Sequence, residues 1–129
     1  QPLLFAHTNL IARDWRSLAL FYQSVFGCQP VLPERDLHGA DFDAGTGLSN
    51  ARARGIHLRL PAESSDGPTL EIFEYAAPEG GVRPALHQPG FGHVAFAVAS
   101  VIEARAQFLM AGGSSVGDVI QTRFRRKRS

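Results

Sequence analysis

The chain has 129 residues, 44% of them hydrophobic and 19% charged, enough for one core and too apolar for a disordered chain. No apolar run reaches the ~18–20 residues of a membrane-crossing helix, no basic-then-apolar leader opens the sequence, and the single cysteine, Cys28, has no partner for an internal disulfide. A cytoplasmic protein without a membrane partner is the expectation.

The formal net charge of +1 comes from one end. Five of the 13 basic residues fall within residues 123–128, leaving 8 basic against 12 acidic residues elsewhere, a formal charge of −4. A mildly acidic body argues against a nucleic-acid partner. The basic tail 123–129 reads as a solvated end.

Taken in chain order, a first strand carries His7 on one face with Phe5 and Asn9. A helix over about Trp15–Phe26 follows, capped by Asp14 and stopped by Gly27, with Leu18, Phe21, Tyr22 and Val25 on one stripe. A short strand is expected between His38 and Phe42. Residues Ile56–Leu60 alternate with period two up to Pro61, and Thr69–Tyr75 alternate likewise. Residues 78–90, rich in Gly and Pro, read as a linker. A strand over Gly92–Val98, a helix over about Val101–Met110 opened by the capping-box pattern Ser100…Glu103, and a strand near Val116–Phe124 complete the chain.

These two stretches echo each other. An offset of 86 residues lays His7 on His93, Asp14 on Ser100 and Gly27 on Gly113: a strand histidine, a helix cap and a helix-ending glycine. We read two related modules, residues 4–77 and 91–122, in one domain spanning 1–122. Alternation then turns His7, Glu71 and His93 toward a common face, together with Phe73 and Tyr75, and His57 and Arg59 share the same parity. Two imidazoles and a carboxylate form a common ligand set for Fe, Mn, Ni or Zn. Spacing alone does not bring them together, and half-buried strand histidines with a solvent-facing Glu71 are the plainer reading of the pattern. His38 and His87 read as surface histidines, and Cys28, behind a helix C-terminus, has nothing to activate its thiol.

Three passages resemble the vicinal oxygen chelate superfamily, the group of glyoxalase I, bleomycin-resistance proteins and extradiol dioxygenases. They are His7-Thr8-Asn9-Leu10 through Leu20-Phe21-Tyr22-Gln23-Ser24-Val25-Phe26-Gly27, then Pro68-Thr69-Leu70-Glu71-Ile72-Phe73-Glu74-Tyr75, then Gly90-Phe91-Gly92-His93-Val94-Ala95-Phe96-Ala97-Val98 through Ala111-Gly112-Gly113. The resemblance implies an α+β fold of paired βαβββ modules, a cupped mixed sheet with helices outside. It places metal ligands at His7, Glu71 and His93. It also implies a fourth, a carboxylate on the last strand of the second module, for which Gly117-Asp118-Val119-Ile120 and the basic tail offer no counterpart. The second module is therefore expected to lack its final hairpin.

The resemblance also implies a divalent-metal-dependent lyase, isomerase or dioxygenase-like protein acting on a small oxygen-bearing substrate between the modules. Glu71 is then the proton-carrying carboxylate and Arg59 a clamp for a substrate carboxylate, with His57, Phe73 and Tyr75 also contacting substrate, although core or dimer contacts are the plainer reading of the two aromatic residues. A homodimer is the implied assembly. The alternatives are a metal-free protein that sequesters a small molecule, as bleomycin-resistance proteins do, and an inactive dimeric relative.

Overall fold

Strand β1 (His7–Ile11) opens the order of elements, followed by helix α1 (Trp15–Phe26), strand β2 (Gln29–His38), the short helix α2 (Ala40–Thr46), strands β3 (Arg52–Arg59) and β4 (Thr69–Tyr75), and helix α3 (Val101–Met110). The computed structural model of the chain describes residues 3–62, 66–77 and 85–120. It divides into two units, Gln1–Ala95 and Phe96–Ser129.

The first unit is built on a four-stranded mixed sheet of order β1-β4-β3-β2, in the α+β class expected. Strands β2, β3 and β4 form an antiparallel meander, and β1 adds to β4 in parallel. Pairing sets Ile56 opposite Ile72 and Leu58 opposite Leu70. All four are buried, and Leu58, Leu70 and Ile72 are the largest fully buried side chains. Burial of each such side chain contributes roughly 1.5–3 kcal/mol.

Helix α1 covers this apolar face, packing on β3 and β4. Its deepest residues are Trp15 and Ala19, with the expected stripe of Leu18, Phe21, Tyr22 and Val25 half-buried beside them. Both ends are fixed by the signals in the sequence. The Asp14 carboxylate accepts from the Ser17 backbone N–H at 3.1 Å and from the Ser17 hydroxyl at 2.9 Å, and Gly27 ends the helix at φ 69°. The Trp15 N–H donates to Glu74 Oε1 at 2.9 Å, fastening the first turn of α1 to β4.

Two elements depart from expectation. The strand placed between His38 and Phe42 lies earlier, at Gln29–His38, and residues Ala40–Thr46 are helical. Pro30 and Pro33 lack ladder donors, yet β2 is an edge strand, the position where a sheet tolerates proline, and its register shifts between Val31 and Arg35. Strand β3 also begins at Arg52, four residues before the alternation becomes apolar. In the second module, the stretch Gly92–Val98 is in no ladder with any described residue, nor is Val116–Ile120, while residues 121–124 lie outside the described part. Alternation marks faces but supplies no neighbour to pair with. Helix α3 does form at the expected residues, with Ser100 Oγ accepting from the Glu103 N–H at 3.2 Å. The tail 123–129 lies outside the described residues.

Two predictions follow from the sheet. A Cβ on Gly55 would lie 1.9 Å from the Ile72 carbonyl oxygen and 2.6 Å from Phe73 Cδ1. Because backbone cannot yield as a side chain tip can, Gly55→Ala should destabilise the protein by about 1–3 kcal/mol in urea unfolding. On the edge, Arg52 grips Asp36 at 2.8 and 2.6 Å. That contact holds the Asp36 carboxyl at about 2, below its ordinary 3.8. Its stabilising contribution is complete above the ordinary value and disappears as pH falls through about 2. An NMR titration should find this low midpoint, and Arg52→Gln should return it toward 3.8.

Candidate metal centre

The ladder that buries Leu58 against Leu70 places the intervening pair, His57 and Glu71, opposite each other on the other face of the sheet. On the other side of β4, Asn9 lies opposite Glu71 and His7 opposite Thr69. Three adjacent strands thus deliver His7, His57 and Glu71 to one place. Each offers a ligand atom, all within 4.8 Å of one another. His57 Nε2 is 2.7 Å from Glu71 Oε2, and His7 Nε2 is 3.6 Å from Glu71 Oε1. The two imidazole rings meet edge to face with centroids 5.5 Å apart.

The side chains grade outward: Glu71 is 12% exposed, His57 19% and His7 42%. The group is therefore anchored in the sheet and open toward solvent on the β1 side. Neighbours orient the donors. The Asn9 side-chain amide donates to Glu71 Oε1 at 2.8 Å, and His57 Nδ1 lies 3.1 Å from the Thr69 hydroxyl. A hydroxyl both donates and accepts, so Thr69 suits either tautomer of His57, including the one that leaves Nε2 bare for an ion. Phe73, buried, stands edge-on to His57 with centroids 6.3 Å apart.

Burial pushes the His57 imidazole below its ordinary value. The Glu71 carboxylate opposes that shift, whereas the charges of Arg35 and His7 add to it. The neutral imidazole is the form that ligates metals. Around an ion with bonds of about 2.1 Å, neighbouring donor atoms lie about 3 Å apart. The 2.7 and 3.6 Å separations from Glu71 to the two imidazoles bracket that spacing, and two imidazoles with a carboxylate suit Fe, Mn, Ni or Zn.

Of the residues singled out in the sequence, the structure brings His7, Glu71 and His57 together. His93 is exposed in the segment 91–98, outside that group of ligand atoms. Arg59 is exposed at the end of β3, opposite Thr69. Tyr75 lies farther along β4, stacked on Phe42, and lines a separate hollow of about 530 Å³ with Ile11, Leu48 and Arg52. Asn9, Thr69 and Arg35 were not singled out from the sequence. Asn9 and Thr69 share strand parity with His7 and Glu71, a signal that was present. Cys28 is buried, and burial pushes its thiol up, which keeps it an inert core residue.

The sequence matches the model of the Glyoxalase/Bleomycin resistance protein/Dioxygenase superfamily over residues 4–126. Among solved structures, a glyoxalase family protein from Bacillus cereus superposes with a TM-score of 0.81 at 15% identity, over 95% of this chain and 80% of that one. The fosfomycin resistance protein FosX from Listeria monocytogenes, complexed with Mn(II) and 1S,2S-dihydroxypropylphosphonic acid, superposes with a TM-score of 0.48 at 18% identity, over 84% and 68%. No curated protein sequence matches. At 15% identity the likeness to the Bacillus protein is one of fold.

Proposed function

Because the chain belongs to the Glyoxalase/Bleomycin resistance protein/Dioxygenase superfamily, we propose that it is a divalent-metal-dependent lyase, isomerase or dioxygenase-like protein acting on a small oxygen-bearing substrate. The observation that carries this reading is the meeting of His7, His57 and Glu71 on neighbouring strands. These three residues would hold the ion. When bound, a divalent ion acts as a Lewis acid toward adjacent substrate oxygens and stabilises developing negative charge.

The remaining work falls to this chain's own groups. Asn9 holds the Glu71 carboxylate from one side, and Thr69 fixes the ring of His57. Glu71 is the carboxylate of the group and the candidate to carry a proton, on the oxygen it would not lend to the ion. Phe73 closes the inner wall beside His57 and keeps water from that side.

A second reading has its own support. Both Glu71 oxygens already have partners within the protein, so the group is also self-sufficient as the polar floor of a metal-free binding protein. Metal analysis separates the two. The metal reading expects about one equivalent of Mn, Fe, Ni or Zn per chain and a raised melting temperature on adding that ion. His7→Ala, His57→Ala and Glu71→Gln should each abolish the effect, whereas His93→Ala should retain it. Thr69→Val should weaken metal affinity about 10–100-fold through loss of the His57 support. Absence of any stoichiometric ion, with no stabilisation by these metals, would leave the sequestration reading standing.

A further inference from the structure

The two acidic residues that flank Arg35 on β2 are both committed. Glu34 pairs with Arg16 of α1 at 2.7 and 3.0 Å, and Asp36 pairs with Arg52. Arg35 lies between them and faces the other way. It stands opposite Gly55, two residues along β3 from His57, and by alternation on the same face as His57, Glu71 and Phe73. It is half-buried, and no carboxylate among the described residues comes within ion-pair distance of it. One nitrogen, Nη1, donates to the carbonyls of Val31 and Pro33. Its Nε and Nη2 donors have no protein partner among the described residues.

A partly desolvated guanidinium without a counter-charge is costly to maintain, and the backbone carbonyls neutralise only a small part of its charge. Its planar fork matches the two oxygens of a carboxylate or a phospho group. The carbonyls of Val31 and Pro33 hold one side of that fork at the register shift in β2, which limits the freedom lost when an anion docks on the other side. Arg59 is on the same face, at the far side of His57, but it is exposed. Water already serves its charge, so Arg35 is the stronger anchor.

We propose that Arg35 is the anion anchor of this site, so that its ligand is a small oxyacid with one end at the His7–His57–Glu71 centre and a carboxylate or phospho group on the Arg35 guanidinium. The inference rests on the functional reading above for the metal end, while the anion end stands on Arg35 alone.

The test is calorimetric titration of the full chain, Mn(II)-loaded and metal-free, with oxalate, with inorganic phosphate and with neutral hydroxyacetone. Oxalate and phosphate tell a carboxylate end from a phospho end by which binds more tightly. Arg35→Gln should weaken the preferred anion about tenfold or more in both forms. It should leave Mn(II) affinity and hydroxyacetone binding within about twofold of the parent, the allowance for indirect effects on the site. Arg35→Lys, which keeps the charge but loses the fork, should recover only part of the loss. Equal anion affinity in parent and Arg35→Gln overturns the proposal. So does a parallel loss of hydroxyacetone or Mn(II) binding, which would mark Arg35 as a support of β2 at its register shift. If the parent binds no Mn(II), the metal reading fails, and the metal-free arm still decides the role of Arg35.

Discussion

The antiparallel register between β3 and β4 is the constraint on which the rest of the molecule depends. It pairs Ile56 with Ile72 and Leu58 with Leu70 under helix α1, and the same register brings His57 opposite Glu71 on the reverse face. Side chains on a strand have a period of two, so a slip of one residue would send the apolar pairs into solvent and the His57–Glu71 pair into the core. Burial of Leu58, Leu70 and Ile72 forbids that slip. Core packing thus fixes the strand positions of His57 and Glu71, and the Thr69 and Asn9 side chains orient their donors. Strand β1 adds its share by a parallel ladder that sets Asn9 against Glu71 and His7 against Thr69.

Charge is partitioned between the two faces in a related way. The carboxylates of Glu34 and Asp36 lie toward arginines of α1 and β3 in exposed pairs. Such pairs add little stability in water, commonly about 0–1 kcal/mol. Their effect is instead on orientation, because they take up the acidic groups next to Arg35 and leave it without a carboxylate partner among the described residues, on the face of the candidate metal centre. The acidic balance of residues 1–122 therefore does not describe this face. A net charge averages over the two sides of a sheet, and what a ligand meets is one side only.

How much of this was legible in the sequence follows from which interactions are local. Helix α1 was readable because Asp14 and Gly27 act on their own neighbours, and β4 because period two is written in seven consecutive residues. Strand β2 was not, since Pro30, Pro33 and a run of charges argue against a strand unless one knows that it lies on an edge. Helix α2 is seven residues long, is opened by Gly39 without a side-chain cap and contains a further glycine, so no local rule announces it. For the site, parity put His7, His57 and Glu71 on one face, but parity does not say which residue of a neighbouring strand stands opposite. That is a non-local fact, and it is why parity alone does not bring His57 to His7 and Glu71 and leaves Arg35, on a strand that the sequence pattern does not mark, without a sign. The reading of Gly92–Val98 as a strand shows the converse: alternation predicts faces well and pairing not at all.

The location of the three donors has a consequence for how ion binding and folding would be coupled. His57 and Glu71 sit on the two central strands, whose ladder and buried leucines already hold them together. His7 sits on β1, a five-residue strand that among the described residues pairs along one side only. An ion shared by the three would span β1, β4 and β3, adding to β1 a tie that its short ladder lacks. Most of the ordering cost would fall on His7, the most exposed of the three, while His57 and Glu71 contribute donors that folding has already fixed. The free energy of binding would raise the cost of every opening that breaks the site, global unfolding included, and the gain relative to what is already there would be largest at β1, because local opening at an edge starts from the least secured strand. The parallel pairing that brings β1 beside β4 is in this sense the part of the fold with most to gain from the metal, and the antiparallel meander is the frame that makes the gain available.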